Sequence, residues 1–127
     1  MWFRSALMVL TLSAPALAQD ALPNSDFDGE IEVVASSLVH PWSLAFLPAG
    51  ELLVTERGGY LRRITEDGLQ ADPVSGAPEP YVAGQGGMLD VVLHPEFETN
   101  GYVYLTYAAG HRRANRLAIA RGRYADG

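Results

Sequence analysis

One pattern occurs twice in this chain. Leu44-Ala45-Phe46-Leu47-Pro48, a turn at Gly50 and Leu52-Leu53-Val54-Thr55 form the first copy. Val91-Val92-Leu93-His94-Pro95, a longer turn ending at Gly101 and Val103-Tyr104-Leu105-Thr106 form the second. Short apolar runs rich in β-branched residues, bounded by proline and glycine, read as strands. Beyond the first twenty or so residues, no helical period is sustained for even about ten residues. The chain is therefore expected to be all-β. The copies are offset by about 50 residues with about four strands per unit, the size of a propeller blade. A β-sandwich also accommodates two imperfect copies, so both architectures stay open on pattern alone.

Taken in order, residues 31–35 (I-E-V-V-A) predict a strand by partial alternation. His40-Pro41 predicts a loop, because the residue before a proline is pushed out of the helical region. Residues 42–46 are a short apolar run closed by a turn, and residues 51–56 are a strand. Arg57-Gly58-Gly59 is a hairpin signal, and residues 60–64 alternate as a third strand. Asp67-Gly68 turns, and residues 72–80, with three prolines, connect. Residues 88–93, 102–107 and 116–124 complete the strands, with turns over 96–101 and 110–115.

The first eighteen residues read as a secretory signal peptide. Arg4 supplies the positive start, residues 6–12 the apolar segment, and Ala16-Leu17-Ala18 the cleavage signal before Gln19. The apolar run falls short of the ~20 residues that span a bilayer. A periplasmic or secreted location follows as the expectation, with no membrane span in the mature chain. Residues 19–30 are an acidic linker, and residues 31–127 carry the fold. The net charge is −6 and none of the nine basic residues is lysine. Such a chain is a poor nucleic-acid binder, because phosphate neutralisation needs a basic surface. Arg112, Arg113, Arg116, Arg121 and Arg123 cluster at strand-like spacing and read as a solvated face. The chain has no cysteine, which excludes disulfides and cysteine-ligated zinc.

Residues 84–97 read G-Q-G-G-M-L-D-V-V-L-H-P-E-F. Gly84, Gly86 and Gly87 around one amide suit a tight loop whose backbone turns sharply or lies close to something else. Gln85 is the side chain there that both donates and accepts. A plain turn with Gln85 merely solvated fits the spacing as well. The segment is not a phosphate loop: it lacks the Gly-Lys-Ser/Thr ending and G-x-G-x-x-G, and a strand follows where a helix should start.

With the H-P-W-S-L-A-F-L-P run from His40 to Pro48 and the L-V-T-E-R-G-G run from Leu53 to Gly59, this segment resembles the glucose/sorbosone dehydrogenase family, the quinoprotein-type aldose sugar dehydrogenases. The resemblance covers residues 40–123, with the motifs in the same order. It implies the first one to two blades of a six-bladed β-propeller. It also implies oxidation of the anomeric carbon of an aldose by hydride transfer to pyrroloquinoline quinone (PQQ), held with calcium in the propeller mouth, and an electron acceptor as a further partner. The family's loop glutamine, matching Gln85, hydrogen-bonds the sugar, so Gly84, Gln85, Gly86 and Gly87 form the implied substrate loop. The family's catalytic histidine, quinone-holding arginine and lysine, and calcium ligands lie downstream of the matched region. They are expected beyond Gly127, so the 127 residues read as a truncated part of a larger enzyme, inactive alone.

His40, His94 and His111 are accordingly read as structural or solvated, Asp90 as a structural hydrogen-bonding residue, and Trp42 and Phe46 as blade packing. Asp20, Asp26, Asp28, Glu30 and Glu32 lack the order of a calcium loop. Two other functions suit the same fold: a non-catalytic propeller that binds a sugar or protein, and a metal-dependent hydrolytic propeller such as a lactonase.

Overall fold

The computed structural model describes residues 29–125. The expected signal peptide and most of the acidic linker lie outside these residues. From Glu32 onward the chain forms one compact unit. Its first sheet is a meander of four antiparallel strands in sequence order: β1 (Pro41–Phe46), β2 (Leu52–Glu56), β3 (Tyr60–Thr65) and the two-residue β4 (Gly68–Leu69). Its second sheet is a three-stranded meander: β5 (Met88–Leu93), β6 (Tyr102–His111) and β7 (Ala114–Arg123). One short helical turn, α1 (Phe97–Asn100), fills the connection from β5 to β6.

Alternation decides which face each strand buries. Leu53 and Met88 are fully buried, and Leu47, Leu61, Val91, Val103 and Leu105 close around them as one core cluster between the sheets. Burying a leucine or methionine side chain fully contributes about 1.5–3 kcal/mol. The connection over residues 70–80 closes the edge of this core. Val74 donates its N–H to the Leu61 carbonyl at 2.8 Å, and Val74 and Ala77 pack on the cluster.

Two expectations change. Residues 31–35 form no strand; their side chains are mostly exposed, and no ladder partner pairs with them among the described residues. Trp42 and Phe46 lie on the outer face of the first sheet, 48% and 70% exposed, because Ser43, Ala45 and Leu47 take the inward positions. The turn expected over residues 110–115 shrinks to Arg112-Arg113, since the β6–β7 ladder runs on to the pair His111 and Ala114. Gly110 permits this, with φ of +113° and no room for a Cβ, which would lie 2.3 Å from the Ala114 carbonyl oxygen.

Candidate functional site

Strand register sorts the turns to two ends of the unit. Pro41 pairs with Glu56, Glu56 with Tyr60, and Met88 with Tyr107. One end therefore gathers His40, the β2–β3 turn and the glycine loop preceding β5. The other gathers the β1–β2 turn, the β3–β4 turn and α1. His94 lies at the second end, remote from Gln85.

The glycine loop is pinned on both sides. Toward the second sheet, Tyr81 donates its N–H to the Ala108 carbonyl at 2.7 Å, and Ala108 donates to Gly87 at 2.9 Å. Toward the first sheet, Met88 donates to the Arg57 carbonyl at 2.9 Å, and the Arg57 guanidinium donates through Nη1 to the Gly84 carbonyl. A Gly86 N–H bond to the Ala83 carbonyl at 2.8 Å closes the turn. Gly84 turns with φ of +55°, which favours glycine. A Cβ on Gly87 would lie 2.2 Å from the Arg57 carbonyl oxygen, so that position excludes every other residue unless the sheets move apart. Gln85 stands exposed at the tip.

The residues that hold this end were not evident as a site in the sequence. They are Thr55, Glu56 and Arg57, consecutive at the end of β2. Thr55, fully buried, bonds through Oγ1 to the Leu89 carbonyl of β5 and accepts the Ser43 N–H at 3.1 Å. Glu56, 1% exposed, accepts the Val39 N–H on Oε1 at 2.6 Å and faces Arg62 Nη1 across 3.6 Å. Arg57 grips the glycine loop and donates its own N–H to the His40 carbonyl at 3.0 Å. His40 is held in the left-handed region, with φ of +50°. A charged residue closing an otherwise apolar strand was the available signal, because a buried carboxylate must be paired.

The other nominated side chains are placed as follows. His94 Nδ1 accepts the Glu96 N–H at 3.0 Å and lies 2.8 Å from Asn100 Nδ2, while its ring stacks on Tyr104. His111 is exposed, and its Nδ1 accepts the Arg113 N–H at 3.3 Å. Asp90 bonds through its backbone N–H to Thr106 Oγ1 at 2.9 Å, while the residue is exposed. Arg121 and Arg123 lie over the Tyr102 ring at 4.4 and 5.3 Å and hold its phenol below the usual tyrosine range, by the Arg123 hydrogen bond first and both charges after it. Glu30 and Glu32 are exposed, and Asp20, Asp26 and Asp28 lie outside the described residues. Among the described residues no group of three or more His, Cys, Asp or Glu is placed to hold a metal ion.

Two adjoining antiparallel meanders of blade size, with a polar loop seated between their ends, are neighbouring blades of a β-propeller. The chain belongs to the glucose/sorbosone dehydrogenase family, whose pattern it matches over residues 38–127. It is 41% identical over 98 residues to the aldose sugar dehydrogenase YliI of Escherichia coli, covering 76% of this chain and 26% of that one. It is 31% identical over 111 residues to quinoprotein glucose dehydrogenase B of Acinetobacter calcoaceticus, covering 80% and 23%. The crystal structure of the apo soluble aldose sugar dehydrogenase of E. coli superposes with a TM-score of 0.70 at 44% identity, over 75% of this chain and 28% of that one. The PQQ-bound aldose sugar dehydrogenase of Streptomyces coelicolor superposes at 0.65 with 30% identity, over 76% and 28%. The chain thus spans about a quarter of the length of the curated relatives it matches.

Proposed function

We propose that this chain serves in a PQQ-dependent dehydrogenase that oxidises the anomeric carbon of aldose sugars, and that Gln85 binds the sugar. The observation that carries this is the placement of Gln85: an exposed amide on a loop whose backbone is fastened to both blades. An amide offers a donor and an acceptor without competing for the proton that leaves the anomeric hydroxyl. On its Gly84 side the surroundings are open, with nothing near a Cβ built on Gly84. The names of the relatives, a sugar dehydrogenase and a quinoprotein, support the reaction class.

The described residues do not fit a calcium or quinone site. No ligand cluster is present among them, and Arg57, the cation bonded to the glycine loop, is engaged with Gly84. The catalytic base and the groups holding quinone and calcium are therefore assigned to none of them. The Ala16-Leu17-Ala18 signal supports export to the periplasm or outside the cell. No helix among the described residues is long and apolar enough to cross a membrane.

The test is Gln85→Ala in the whole dehydrogenase that carries this segment, assayed with PQQ, calcium and an aldose. Loss of one sugar hydrogen bond of about 1–1.5 kcal/mol predicts kcat/KM lower by roughly tenfold. Unchanged kinetics in Gln85→Ala would remove Gln85 from the sugar site.

A further inference from the structure

We infer that Arg57 is a positioning residue for Gln85, acting by fastening the glycine loop of the second blade to the hairpin of the first. The inference rests on the reading of Gln85 as the sugar-binding amide. Four observations meet at this one residue. Its guanidinium donates to the carbonyl of Gly84, the residue immediately before Gln85. Its backbone carbonyl accepts the Met88 N–H at 2.9 Å, just past the loop's other end. Its Cγ and carbonyl oxygen occupy the space that a side chain on Gly87 would need, at 2.6 and 2.2 Å. Its N–H is fixed on His40. Gln85 is thus bracketed on both sides by bonds to a single residue that lies 27 positions before Gly84.

The anchor is itself anchored. Thr55 and Glu56, the two residues before Arg57, are buried and hydrogen-bonded to β5 and to Val39. The loop is therefore referred to the rigid end of β2 rather than to its own flexible glycines. Sites held on strand ends keep their geometry better than sites left to loops. The charged donor makes the Gly84 bond stronger than a neutral one. Arg57 touches no substrate in this arrangement; its effect passes through the position of the Gln85 amide.

The test compares Arg57→Met, which keeps the aliphatic stem over Gly87 and removes the donor, with Arg57→Lys, which keeps a cationic donor. Amide hydrogen exchange is read at Gly86 and Met88, with the β6–β7 ladder as internal reference. Arg57→Met is expected to speed exchange at Gly86 and Met88 by about tenfold or more while the ladder amides stay within about twofold, and Arg57→Lys is expected to recover most of the protection. If Arg57→Met does not fold, Arg57→Leu, which also lacks a donor, takes its place. Equal loosening of loop and ladder, or no loosening in the loop, overturns the inference.

A kinetic cycle separates this inference from the reading beneath it. In the PQQ- and calcium-loaded enzyme, Arg57→Met is expected to lower kcat/KM for the aldose. Arg57→Met combined with Gln85→Ala is expected to be no worse than Gln85→Ala alone, since the first change acts through the second residue. Additive losses overturn the positioning role while leaving Gln85 in place. A silent Gln85→Ala overturns the sugar-binding reading whatever Arg57 does.

Discussion

At the scale of single residues, the structure turns on places where nothing larger fits. Gly87 is the clearest. Its absent side chain lets the Arg57 carbonyl come within reach of the Met88 N–H, and that bond joins the sheets. Gly87→Ala is expected to destabilise the fold by about 2–4 kcal/mol, in the range of severe backbone and overpacking lesions. The lowered midpoint of a urea titration is the check, and an unchanged midpoint would mean that the sheets separate freely there. The glycines were legible in the sequence because glycine clusters signal special backbone geometry. What each one approaches was not, because the Arg57 partner lies far away along the chain. Glu56 shows the same limit: a carboxylate ending an apolar strand stands out, but its ties to Val39 and Arg62 depend on how the strands are paired.

At the scale of elements, β2, β3, β5, β6 and β7 follow their sequence pattern, whereas the two-residue β4 arises where only a turn was expected. Alternation and turn residues are local properties, and antiparallel meanders need only local connections. Residues 31–35 fail for the complementary reason. β-branched residues make a strand only where a neighbouring strand accepts the ladder, and none does among the described residues. The β2–β3 hairpin carries a pH-dependent clasp. Arg63 in β3 holds the Glu51 carboxyl below its ordinary value of 4.5, chiefly through two 2.8 Å hydrogen bonds, with desolvation opposing and the Arg63 charge adding the smallest share. A depressed carboxylate pKa adds stability that is fully present above the unfolded pKa and fades as pH falls through the folded one. The pair is partly exposed, so the contribution is small. Parent and Glu51→Gln are therefore expected to differ in stability at neutral pH and to converge well below pH 4.5. A difference that persists undiminished in acid would mean that the clasp acts by packing.

At the scale of the molecule, both blades keep apolar outer faces. Trp42, Leu44 and Phe46 are exposed on the first sheet, and Val92, Leu117 and Ile119 on the second. In a propeller such faces meet the next blade, and in the isolated segment their exposed apolar surface drives association. Phe46→Thr with Leu117→Thr and Ile119→Thr is expected to raise severalfold the concentration at which the chain self-associates in sedimentation, without changing its far-ultraviolet circular dichroism. Unaltered association would place the sticky surface elsewhere.

The longer turn of the second repeat is taken up by α1, four residues with a left-handed glycine, Gly101, behind it. It sits at the end of the blades remote from Gln85. A gene that copies such a unit can gain or lose residues at that end while the strands stay in phase and the opposite end keeps its shape. Drift in length and constancy of chemistry are thereby assigned to different edges of one small sheet. The same separation marks the α1 turn as the place to splice in a foreign peptide or a reporter.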